Sequence, residues 1–133
     1  MLLATVTISS DTINENPACA GALGMESRII PDRNISASSV YPSSPVEKHD
    51  AAYGRLHFRR GNGRVGAWCA ATNDQNQWLQ VDFGTEMMIS GVATQGRQAI
   101  NQWVKSYSLS YSLDGRTFYS YQNNKVERNV LET

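Results

Sequence analysis

The chain has 133 residues, with 12 Lys and Arg set against 12 Asp and Glu for a formal net charge of zero, and 41% of its residues are hydrophobic. That length and composition fit one globular domain with a core of its own. The balanced charge excludes a uniformly basic nucleic-acid binder, and no run approaches the roughly 20 apolar residues that a membrane helix needs.

Residues 1–18 show no clear period and end at Asn16-Pro17. The apolar start, Met1 to Ile8, lacks the basic segment and small-residue cleavage site of a signal peptide. We read 1–18 as a leader or linker and 19–133 as the domain. From Cys19 onward short strands alternate with turn signals. In Trp78-Leu79-Gln80-Val81-Asp82-Phe83 the residues Leu79, Val81 and Phe83 fall on one face, and Gly84 ends the run. Residues 87–94 are apolar around Ile89 and Val92 and read as a half-buried strand. Tyr107, Leu109, Tyr111 and Leu113 then alternate with Ser106, Ser108, Ser110 and Ser112, the cleanest period-two pattern in the chain. Asp114-Gly115 separates this run from Thr117-Phe118-Tyr119-Ser120-Tyr121, which predicts a hairpin with a two-residue turn. Such a succession points to an antiparallel β-sandwich or barrel.

Little in the chain reads as catalytic. Cys19 and Cys69 allow one bridge or two external pairings, and nothing around them lowers a thiol pKa as a nucleophile requires. His49 and His57 lie eight apart in a segment read as loop, which is poor spacing for metal ligation. Asp82 ends a strand and reads as an ion-pair partner or turn cap, since a lone carboxylate makes no acid–base pair. There is no nucleophile elbow, phosphate loop or metal cluster. The chain is therefore expected not to be an enzyme, and to need no metal or cofactor. Asn34-Ile35-Ser36 is an N-glycosylation signal.

Taken in order, several segments resemble the discoidin domain, also called the coagulation factor V/VIII type C domain. They are Cys19 with Ala22-Leu23-Gly24-Met25-Glu26, Ile35-Ser36-Ala37-Ser38-Ser39, Arg55-Leu56, Ala67-Trp68, Trp78 through Gly84, Gly91 through Arg97, Val104 through Tyr107 and Tyr111 through Gly115. Each is weak alone; the ordered set covers roughly residues 19–125. The resemblance implies a jelly-roll-like, galactose-binding-domain-like β-sandwich. It also implies an extracellular, secreted or cell-surface setting, and a binding role carried by three loops at one end. Those loops would hold Tyr41 and Pro42; Arg59, Arg60 and Arg64; and Arg97, Gln98, Ile100 and Asn101, with Trp103 at the return. It further pairs Asp82 with Arg55 and makes Cys19 one half of a terminal disulfide whose partner is absent, with the partner of Cys69 unknown. Calcium is a ligand of some relatives, but the residues here give no site for it.

The family pattern continues past Tyr119 and Tyr121, so the domain is expected to lack its last strands and to be marginal on its own. Loop chemistry favours a glycan or protein ligand. The loop residues are mostly small or polar, and clustered arginines offer forked donors to oxyanions. The alternatives are a peripheral module for anionic phospholipid and a targeting domain appended to an enzyme.

Overall fold

The structure, a computed structural model, describes residues 7–9, 22–89 and 91–121. Its regular elements are six short strands and two single 3-10 turns, so the class is all-β. The strands are β1 (Thr7–Ser9), β2 (Ile35–Ala37), β3 (Leu79–Val81), β4 (Gly91–Ala93), β5 (Ser110–Tyr111) and β6 (Tyr119–Ser120). They pair as three antiparallel ribbons: β1 with β4, β2 with β3, and β5 with β6. Thr7–Ser9, inside the segment read as leader or linker, is thus the partner of β4.

The β2–β3 ribbon shows how pattern becomes packing. Its register sets Ile35 opposite Val81 and Ala37 opposite Leu79, so one face carries four apolar side chains. That face closes on the larger core cluster, where Met25, Ile30, Ile35, Ala51, Trp68 and Ala70 are buried and Leu79, Val81 and Phe83 pack against them. Cross-strand apolar pairs of this kind are the unit of sheet stabilisation. The ribbon continues one step at each end through Ser38 N–H to the Trp78 carbonyl (3.0 Å) and Asp82 N–H to the Asn34 carbonyl (2.8 Å). A second cluster joins Val65, Ala67 and Cys69, with Val104 against it.

Trp68 is the largest buried side chain, 1% exposed. Its indole N–H donates to the Ser39 carbonyl at 2.9 Å, so the ring is buried without an orphaned donor. Arg55 is 2% exposed, and its guanidinium is held by backbone. Nη1 donates to the Met25 carbonyl (2.7 Å) and Nη2 to the Ile30 carbonyl (2.8 Å), while Nη2 also meets the Asp32 carboxylate.

Several expectations are corrected here. Arg55 pairs with Asp32 and not with Asp82, because the turn 24–32 lies against Arg55 while Asp82 is turned to its own loop. Asp82 acts as the turn cap, its Oδ1 accepting the Gly84 N–H at 2.8 Å. The strand expected at 87–94 begins only at Gly91, with Met87, Met88 and Ile89 exposed.

The period-two run at 106–113 forms strand only at Ser110–Tyr111, and Tyr107, Tyr111 and Leu113 are exposed. Alternation alone gave no core face there, because no described layer covers it. The hairpin is present, but its loop runs from Ser112 to Phe118 instead of turning at Asp114-Gly115. Only Gly115 has positive φ (68°), whereas the two-residue turn needs it at both positions.

The Asp114 side chain explains the difference. Its Oδ1 accepts the N–H groups of Arg116 and Thr117, each at 2.8 Å, and the Ser112 hydroxyl. The Thr117 amide, then Arg116 and Ser112, hold the Asp114 carboxyl down to a pKa of about 2. With the folded value depressed, the contacts are intact above the ordinary carboxylate range of about 4 and are lost as pH falls through about 2. We expect the Arg116 and Thr117 amide resonances to titrate with a midpoint near 2, followed by NMR. A midpoint near 4 would contradict this loop geometry.

Candidate functional site

Three loops gather on one side of the second core cluster, and hydrogen bonds join them. The first, residues 40–49, is anchored where the Tyr41 N–H donates to the Cys69 carbonyl at 2.7 Å. Within it Ser44 closes a tight turn: Ser44 and Glu47 exchange backbone bonds, and the Ser44 hydroxyl accepts the amides of Val46 and Glu47. At its end the Lys48 N–H donates to the Gly63 carbonyl (2.6 Å) and the Lys48 carbonyl accepts from Val65 (3.3 Å), which fastens it to the second loop.

The second loop is a hairpin. Gly61 and Arg64 exchange backbone bonds of 3.1 and 2.9 Å. Asn62 and Gly63 between them have φ of 50° and 75°, so this is a mirror-image turn, the type suited to tight hairpins. Behind it, a Cβ added to Gly66 would stand 3.0 Å from the Arg60 nitrogen, so close backbone passage requires glycine there. The third loop, 97–103, closes with the Arg97 N–H donating to the Gln102 carbonyl at 2.8 Å. Glutamines dock it on the second: the Arg60 N–H donates to Gln98 Oε1 (2.8 Å) and the His57 N–H to Gln95 Oε1 (2.7 Å).

What this rim presents is mixed. Val46 is 76% exposed, Trp103 56% and Ile100 44%, and Tyr41, Pro42, Gln98 and Asn101 are also exposed. Arg59 and Arg60 reach solvent beside them. Arg64 is half-buried, with its guanidinium 5.6 Å from the Phe58 ring centroid and its Nε donating to the Gly61 carbonyl. Arg97 does not join the outer basic patch. It turns inward, its Nη1 donating to Gln102 Oε1 at 2.9 Å, and its charge acts on His49 and Cys69.

The remaining sequence candidates separate. His49 is buried edge-on to Tyr41, with ring centroids 5.1 Å apart, and burial lowers its pKa. His57 is exposed and meets Glu26 at 2.8 Å. Among the described residues no group of three or more His, Cys, Asp or Glu could hold a metal ion. The Asn34 side-chain nitrogen, the atom a glycan would be attached to, donates to the Asp82 carbonyl at 2.9 Å. Cys19 lies outside the described residues.

Cys69 is a free, fully buried thiol, and burial pushes its pKa up to about 11. Because the thiolate is the reactive form, Cys69 is expected to resist iodoacetamide at pH 8 in the folded domain and to react on unfolding, as read by peptide mapping. Rapid native modification would contradict its placement.

The family model of the F5/8 type C domain matches residues 34–133. The chain belongs to the F5/8 type C (discoidin) family. Similar curated proteins include the human EGF-like repeat and discoidin I-like domain-containing protein 3, 37% identical over 107 residues that cover 78% of this chain and 22% of the relative. Coagulation factor VIII from Canis lupus familiaris is 40% identical over 113 residues, covering 83% of this chain and 5% of that protein. Lactadherin from Rattus norvegicus is 40% identical over 108 residues, covering 79% and 25%. The chain thus spans a quarter or less of the length of these discoidin relatives.

Within this discoidin domain, sequence reading missed the parts that hold the rim together. Asn62-Gly63 is a strong hairpin signal and was available in the sequence. The docking role of Gln95 and Gln98 carries no local signature, because it depends on loops 38 residues apart meeting.

Proposed function

We propose that this discoidin domain is an extracellular recognition module that binds a glycan or a protein surface on the rim of loops 40–49, 59–64 and 97–103. The observation that carries the reading is the mutual fastening of the three loops, with Tyr41, Val46, Ile100 and Trp103 left exposed on them. Loops fixed on a rigid scaffold lose little conformational entropy on binding, so their exposed aromatic and aliphatic groups can serve as anchors. Family membership supports a role in binding.

One observation favours a second reading. Val46, Ile100 and Trp103 stand exposed near Arg59 and Arg60, and apolar tips beside basic residues suit the interface of an anionic membrane.

Vesicle flotation with and without phosphatidylserine, run beside a glycan array, tests both. Burial of one large apolar side chain contributes about 1.5–3 kcal/mol, so Trp103→Ser is expected to weaken binding by about tenfold or more. Flotation that persists at high salt and is lost in Tyr41→Ser and Ile100→Ser selects the membrane reading. Array and flotation signals that are unchanged in all three variants would remove the rim from function altogether.

A further inference from the structure

Phe58 gathers positive charge. Tyr53 stacks on its ring, with centroids 4.7 Å apart and planes 15° from parallel. The guanidinium carbons of Arg28 and Arg64 lie 5.5 and 5.6 Å from the same centroid, within cation–π range. Tyr53 thus stacks on the same ring that both guanidinium groups approach. They stand within about 11 Å of each other, about one Debye length at 0.1 M salt, so the like charges repel.

Each arrives from its own constrained loop. Arg28 has φ of 64° in a turn closed by Ile30 N–H to the Gly24 carbonyl, and Arg64 leaves the Asn62-Gly63 hairpin. Among the described residues neither has a carboxylate in ion-pair range. Three nearby acids are engaged elsewhere: Glu26 with His57, Asp32 with Arg55, and Asp50 with the Ala52 amide; Glu47 shares the cleft wall with Arg64 outside ion-pair range. Beside Arg64 opens a cleft of about 320 Å³, whose wall also includes Glu47, Arg60, Asn62 and Gly63.

We infer that Arg28 and Arg64, seated on the Phe58–Tyr53 stack, bind the sulfate or phosphate ester of an anionic glycan. An oxyanion between two planar forks accepts several charge-assisted hydrogen bonds and removes the repulsion between them. The ring pair gives the forks an apolar floor, and the adjoining cleft has room for a sugar. Arg28 belongs to none of the three rim loops and Phe58 is half-buried, which suits a chain lying along the side of the domain better than a membrane met at loop tips. The glycan source rests on the extracellular reading above; Arg64 and the cleft belong to the rim loops, whereas Arg28 and the Phe58–Tyr53 stack lie outside them.

The test is calorimetric titration of the 133-residue chain with a heparin-derived oligosaccharide. Arg28→Gln and Arg64→Gln are each expected to weaken binding about tenfold, and Arg28→Lys to restore only part of it, because the ammonium lacks the fork. Arg33→Gln, at an exposed arginine outside the site, serves as the charge control and is expected to bind normally. Thermal melts of the same variants identify any that misfold, and the exposed Arg28 pair of variants then decides the result. Unchanged affinity in Arg28→Gln, or an equal loss in Arg33→Gln, overturns the site. Loss of phosphatidylserine-vesicle binding in Arg28→Gln with oligosaccharide affinity intact overturns the glycan as its source.

Discussion

Arg55→Ala is expected to cost about 3–5 kcal/mol in chemical denaturation, a large part of the 5–15 kcal/mol typical of a whole domain. The guanidinium is 2% exposed and donates to the carbonyls of Met25 and Ile30, tying the turn that carries Ile30 to the core. Removing it leaves buried acceptors unsatisfied. Its carboxylate partner is in a different position, since the Asp32 side chain is 64% exposed and water can replace the contact. Asp32→Asn should therefore cost no more than about 1 kcal/mol. This asymmetry is the point of the experiment. Equal losses in the two variants would mean that the ion pair, and not the carbonyl contacts, holds the turn.

Trp68→Ala should be comparably severe, at about 3–5 kcal/mol, since it empties the centre of the main cluster among Met25, Ile30, Ile35 and Ala70. Trp68→Phe separates the two parts of this cost. It keeps most of the apolar surface buried but removes the N–H that satisfies the Ser39 carbonyl, for an expected loss of about 1–3 kcal/mol. Ser39 also accepts the Ala71 amide on its hydroxyl, so the substitution should loosen the approach to the first rim loop. Denaturation midpoints and hydrogen exchange at Ala71 and Tyr41 would show this. A Phe variant as stable as the parent would make the indole bond incidental.

The sequence made the core ribbon legible for a physical reason. Leu79, Val81 and Phe83 alternate with polar neighbours and all three, partly buried, pack against the main core cluster, so the period points to the covered side. At 106–113 an equally clean alternation gave mostly exposed side chains, because period reports what a strand could bury and no layer among the described residues covers this one. Asp114-Gly115 misled for a local reason: a carboxylate that captures the amides of Arg116 and Thr117 outcompetes the tighter turn.

The three candidate loops could be located by resemblance, but their fastening could not. Arg97 was expected outside with Arg59 and Arg60, yet Gln102 draws it inward, a choice that depends on tertiary contacts. Likewise the pairing of Arg55 with Asp32 instead of Asp82 depends on where the 24–32 turn lands.

The register of the ribbons also bears on how quickly the domain can form. Thr7 pairs with Ala93 and Ile35 with Val81, so long stretches of chain must be brought round before either ladder gains its first bond. Contacts so remote along the backbone place the molecule among slow folders, with relaxation in milliseconds to seconds. Among the described strand pairs β5–β6 is the one that closes locally, and it buries little, so early structure there would give the nascent chain scant protection against association with its neighbours.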